Sequence, residues 1–138
     1  MHKIDIYNEL LDLFPSAKIN FADETYAAMT AKSFLKTSSY IKWILKIFGI
    51  FGWRDKFDCD DFAMIWKLFA SLRHAKSLGG KSEGIACGII WYIKDISGGG
   101  HAVNLVRTEN GWQAFEPQTE EFFELSKSER ESVWFVLL

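Results

Sequence analysis

The chain has 138 residues, with 16 Lys and Arg against 18 Asp and Glu, and a formal net charge of -2. That length, with a hydrophobic content of 49%, allows one ordinary domain spanning 1–138 with a core of its own. The near balance of charge excludes a chain-wide basic field, so no nucleic acid partner is expected.

Ile4, Ile6, Tyr7, Leu10, Leu11 and Phe14 recur at helical spacing and Pro15 ends the run, which predicts a first helix with His2 at a frayed terminus. The same stretch carries acids where an export signal has a basic start and an apolar run. A cytoplasmic setting is therefore expected, with both cysteines, Cys59 and Cys87, reduced. Between Ser16 and Thr30 the reading is an extended piece at Lys18 to Phe21, then a short helix opened by Asp23 as N-cap. Lys32 to Ile50 has a helical pattern, with Gly49 and Gly52 as stops. The most apolar stretch, Tyr40 to Trp53, is interrupted by Lys42 and Lys46 and is too short to cross a bilayer, so no transmembrane segment is expected. It reads as a buried core helix, or as a basic helix whose Trp43, Phe48 and Phe51 meet a membrane surface or a partner.

The clearest helix runs from Cys59 to about Ser77, with Asp58 as N-cap and Gly79-Gly80 beyond its end. Phe62, Ile65, Trp66, Phe69 and Leu72 form its expected buried stripe. From Gly84 the composition turns β-branched and aromatic. Strands are expected at Gly84 to Ile93, His101 to Thr108, Trp112 to Glu116, Glu121 to Leu125 and Val133 to Leu138. Ser97 to Gly100 breaks the run, and Glu109-Asn110-Gly111 reads as a hairpin turn. Helices followed by about five antiparallel strands indicate an α+β domain with helices packed on one sheet. The last strand is apolar enough to make a self-pairing edge unless it lies inside the sheet.

Cys59 stands in the first turn of that clearest helix, where free backbone N–H groups and the helix dipole favour a thiolate, although Asp58, Asp60 and Asp61 oppose it. A nucleophilic cysteine needs a base. His74 is on the same helix roughly 20 Å away, which leaves His101, at a strand start after three glycines. Counting back across the hairpin turn places Glu116 and Gln118 close to His101, so Glu116 is expected to orient the imidazole, with Gln118 or Asn104 as substitutes. Cys87, in an apolar strand, reads as core, and the six tryptophans as mainly core or cleft wall.

The order of these motifs, Asp58-Cys59-Asp60-Asp61-Phe62-Ala63, then His101-Ala102-Val103-Asn104, then Glu116, resembles that of papain-like and transglutaminase-like cysteine peptidases. It is most similar to the C-terminal cysteine-protease domain of the fairy-ring mushroom agglutinin family, over roughly Trp53 to Thr119. The resemblance implies a papain-like core, a Cys59-His101-Glu116 triad, and a cysteine hydrolase that cleaves an amide of a peptide or protein substrate through a thioester. Trp53 matches the place of an active-site tryptophan and Gln118 flanks the acid, as oxyanion or substrate-binding groups. The chain departs from papain in having no Gln shortly before Cys59, which leaves the oxyanion to the Cys59 N–H and a second donor, for which Trp53 Nε1–H is the candidate. The likeness also implies calcium, with Asp60, Asp61 and Glu120 as its ligands; the residues alone require no cofactor. Two alternatives stand beside this reading: a catalytically silent protein- or membrane-surface-binding module on the same fold, and a transglutaminase-like or peptidoglycan amidase activity.

Overall fold

The computed structural model describes residues 1–77 and 82–138. The first helix, α1 (Lys3–Leu13), buries Ile6 and Leu10 on one side. His2 is anchored rather than frayed: its ring accepts the Ile4 N–H as N-cap, and its backbone bridges to Thr25. Two short strands follow, β1 (Lys18–Asn20) and β2 (Tyr26–Ala27). No helix begins at Asp23. Its N–H donates to the Tyr26 hydroxyl, and Tyr26 and Ala27 extend beside Gly84 and Ile85, so tertiary pairing overrides a lone capping residue.

The helix α2 (Ala31–Ile47) starts at Thr30, whose hydroxyl accepts the Ser33 N–H. It closes with Ile50 N–H on the Leu45 carbonyl and Gly49 N–H on that of Lys46, and Gly49 supplies the left-handed φ of 67° that this closure needs. The helix α3 (Cys59–Ser77) begins with Phe62 N–H on the Asp58 carbonyl, while the Asp61 carboxylate reaches back to the Asp58 N–H. Its expected stop at Gly79-Gly80 lies outside the described residues. Phe62, Ala63, Trp66 and Ala70 form the buried side of α3. Leu72, expected in that stripe, is exposed instead together with Met64 and Leu68, because the three recur every four residues on the outer side.

The remaining elements are β3 (Gly84–Ile85), β4 (Cys87–Ile93), β5 (Gly100–Thr108), β6 (Gly111–Glu116), β7 (Glu121–Phe123), α4 (Lys127–Glu131) and β8 (Phe135–Leu137). Among the described residues six strands make one sheet in the order β1-β8-β4-β5-β6-β7, antiparallel except for the β1/β8 pair, and β2 with β3 makes a separate parallel pair. The fold is α+β, with N-terminal helices on a mostly antiparallel sheet of six strands rather than about five. The last strand, β8, is interior, so its apolar residues make no free edge. Alternation along the strands gives the sheet two apolar faces. Ile90, Tyr92, Val103 and Leu105 pack with Ile6 and Leu10 of α1, while Cys87, Val106 and Phe115 pack with Ile41 of α2 and Trp66 of α3.

Candidate active site

Cys59 is half-buried at the first residue of α3, in the small apolar group formed with Ala63, Ile89 and Ala102. Its thiol meets the backbone N–H of Ala102, one residue beyond His101. Burial pushes the thiol above its ordinary pKa and the Asp58 and Asp60 carboxylates add to the rise; the Ala102 and Asp60 N–H groups pull the other way without reversing it. The net direction is opposite to the one the helix N-terminus alone favours. Beside the thiol, the Asp58 carboxyl holds Asp60 above the usual carboxylate range, with burial second. Asp58 Oδ1 is buried without a hydrogen-bond partner.

His101 is the second residue of β5. The turn before it is closed by Gly98 N–H on the Lys94 carbonyl at 2.7 Å, with Gly98 at a left-handed φ of 63°. The ring Nε2 lies 2.7 Å from Glu116 Oε2, and the two side chains are 14% and 15% exposed. The other Glu116 oxygen accepts the Gln118 N–H at 3.2 Å, so both carboxylate oxygens are engaged. Tyr92, the cross-strand partner of His101, sets its ring edge-on to the imidazole at 5.8 Å. Burial first, then Glu129, Glu116 and Cys59, raise its hydroxyl pKa, which keeps Tyr92 a neutral wall. The sequence reading missed Tyr92; counting outward from the Ser97–Gly100 break to its partner strand was the available signal.

Of the groups weighed for orienting the ring, Glu116 is the one in contact. Asn104 is fully buried elsewhere, its Nδ2 donating to the Ala63 carbonyl at 2.9 Å and the Gly88 carbonyl at 3.0 Å, which ties α3 to β4. Alternation points Ala102 toward α3 and His101 toward the opposite face, and the thiol reaches the start of β5 through the Ala102 N–H. Their hydrogen bonds go to Ala102 and Glu116, not to each other.

A cleft of about 860 Å³ opens on the imidazole and is lined by Trp53, Tyr92, His101, Glu116, Gln118 and Phe122 among others; Cys59 is not part of its lining. A smaller groove of about 350 Å³, with Ile41, Leu45, Phe51 and Trp66 in its wall, shares Gln118 and Thr119 with it. The acidic residues Asp60, Asp61 and Glu120 do not converge. Asp60 meets Asp58, Asp61 meets the Asp58 N–H, and Glu120 is held on α2 by the Ser38 hydroxyl and Lys42. The three groups that do lie together are Asp58, Cys59 and Asp60, with ligand atoms within 4.8 Å. Cys87 is fully buried, and burial pushes its thiol up to about 12.

Fold and site together define an α+β domain in which a helix N-terminus bearing a cysteine abuts a sheet end bearing an imidazole–carboxylate pair. Two solved structures share this fold. The complex of PSL1a with E-64 matches with a TM-score of 0.80 at 23% identity, covering 100% of this chain and 50% of that one. A Polyporus squamosus lectin bound to a human-type influenza-binding epitope matches with a TM-score of 0.75, also at 23% identity, covering 100% of this chain and 49% of that one. The chain thus spans about half the length of each, and the likeness is one of fold. No protein-family model and no curated protein matches the chain.

Proposed function

We propose that the chain is a cysteine hydrolase that cleaves an amide, by preference a peptide bond, with Cys59 as nucleophile, His101 as general base and then acid, and Glu116 as the group that holds the imidazole. The observation that carries the reading is the 2.7 Å contact of His101 Nε2 with Glu116, beside a cysteine at a helix N-terminus. The likeness to half of a chain solved with E-64, a cysteine-protease inhibitor, supports it. With Nε2 committed to Glu116, Nδ1 is the nitrogen that takes the thiol proton. With burial raising the thiol pKa, that transfer accompanies the attack of sulfur on the substrate carbonyl. The carbonyl electron pair moves to oxygen, which the Cys59 N–H and Trp53 Nε1–H stabilise. Collapse expels the amine with the proton from the imidazolium and leaves a thioester. A water that gives its proton to His101 then releases the acid, and the proton returns to the thiol.

Calcium has no step in this scheme. Asp60 and Asp61 engage Asp58 while Glu120 is held by Ser38 and Lys42, and the Asp58-Cys59-Asp60 group offers two carboxylates and a soft sulfur where calcium takes six to eight oxygens. The residues present do not fit that ion.

Mass-spectrometric profiling of cleavage of a diverse peptide library tests the proposal. The wild type is expected to cut a subset of peptides that Cys59→Ala and His101→Ala leave intact; cutting by Cys59→Ala at the wild-type rate refutes it. The raised thiol pKa favours the second reading, a silent binding module. That reading predicts no cleavage and no acyl-enzyme.

A further inference from the structure

Residues 32–56 hold six cations, Lys32, Lys36, Lys42, Lys46, Arg54 and Lys56, against one acid, Asp55, in a chain whose net charge is -2. The same segment exposes its aromatic residues. On α2 the side toward the protein carries Thr37, Ser38 and Ile41, while Lys36, Tyr40, Trp43 and Ile47 recur along the outer side at spacings of four, three and four. The Tyr40 and Trp43 rings lie 5.7 Å apart, and Tyr40 is edge-on to Phe69 of α3 at 5.2 Å, so the outer stripe is fixed on the body of the protein. Past the helix end, Phe48 is 72% exposed and Phe51 78%.

We propose that this face docks on an anionic membrane surface. Exposed Trp, Tyr and Phe beside lysines are the composition that settles at the headgroup level, with rings at the acyl boundary and ammonium groups among lipid phosphates. Charge decides between occupants. With Lys42 set against Glu120, a two-fold contact with a second copy still sets an excess of four positive charges against four, whereas an anionic leaflet complements them. The attachment is peripheral, because no helix among the described residues is long and apolar enough to cross a membrane. Phe51 also lines the groove that shares Gln118 and Thr119 with the cleft at His101, so docking brings the cleft close to the lipid.

The test is co-sedimentation of the full chain with vesicles of phosphatidylcholine alone and of phosphatidylcholine with phosphatidylserine, with tryptophan emission as a second readout. Binding to the anionic vesicles, a blue shift of emission and loss of binding at high salt are expected. The double variant Lys36→Glu, Lys46→Glu changes two exposed residues without ion-pair partners among the described residues, and is expected to lower partitioning by about tenfold or more. Trp43→Ser with Phe51→Ser is expected to abolish the blue shift at an unchanged thermal melt. Absence of binding overturns the proposal, as does equal binding to both vesicle types. So does a concentration-dependent dimer that Phe51→Ser dissociates, which assigns the face to a second copy.

Discussion

Replacing Glu116 by Ala removes a carboxylate from 2.7 Å of the His101 ring, at a place where both side chains are about 85% shielded from water. In the proposed mechanism the imidazole becomes imidazolium once it takes the thiol proton, and the carboxylate then faces a full positive charge. At charge centres about 4 Å apart and an effective dielectric of about 20, that attraction is about 4 kcal/mol, equivalent to about a thousandfold in rate. This sits inside the 10²- to 10⁴-fold span, roughly, that a positioned general base contributes. Glu116→Gln keeps one acceptor oxygen for the ring N–H but loses the charge and the second acceptor that takes the Gln118 N–H, so it is expected to fall between wild type and Ala. The assay is kcat/KM on a peptide found in the library screen, with a thermal melt as the control for folding, and with Glu109→Ala and Glu121→Ala expected to do little. An Ala variant within about threefold of wild type at an unchanged melt refutes the reasoning, because a charge that close cannot be so weakly felt.

The thiol gives a pH prediction. Since burial and two aspartates raise Cys59 from 9.0, its thiolate fraction and its iodoacetamide labelling rate are expected to climb about tenfold per pH unit through neutrality. A labelling plateau already reached below about pH 7 contradicts that direction. Cys87 is expected to stay unlabelled in the native protein, as judged by peptide mapping, because it is fully buried. Asn104→Ala unpairs the Ala63 and Gly88 carbonyls and is expected to cost about 2 to 4 kcal/mol in denaturant unfolding. Glu120, at a left-handed φ of 61°, ties the turn after Glu116 to Ser38 and Lys42 of α2. Glu120→Ala is expected to lower kcat several-fold with little change in the melt; an unchanged kcat shows that the turn needs no such anchor.

Features set by local spacing were readable in the chain. Asp58 and Cys59 precede a long run of helix formers, and the Glu109-Asn110-Gly111 turn fixes the register that brings Glu116 back toward His101. Features set by contacts distant in sequence were not. The pairing of Tyr26 and Ala27 with Gly84 and Ile85, and of Lys18 to Asn20 with Phe135 to Leu137, joins segments far apart in the chain, and nothing local announces it. Leu72 kept the apolar character of a core residue while its helical phase turned it outward. The helix α4 was not among the expected elements, although Ser126 and Glu129 form a capping box that marks its start locally. At the site, sequence spacing brought out Cys59, His101 and Glu116 as residues. The net direction of the Cys59 pKa was not readable, because it depends on how deeply the helix start is pressed against Ala102.

The central claim is that Cys59 is a nucleophile served by His101, and E-64 tests it directly, because an inhibitor that reacts with an active-site cysteine leaves a covalent mark. Incubation of the full chain with E-64, followed by intact-mass measurement and peptide mapping, is expected to show one adduct per chain, carried by the peptide that contains Cys59. The adduct is expected to be absent from Cys59→Ala and to form far more slowly in His101→Ala. An unmodified Cys59 in folded protein, or labelling that proceeds at the same rate without His101, contradicts the account.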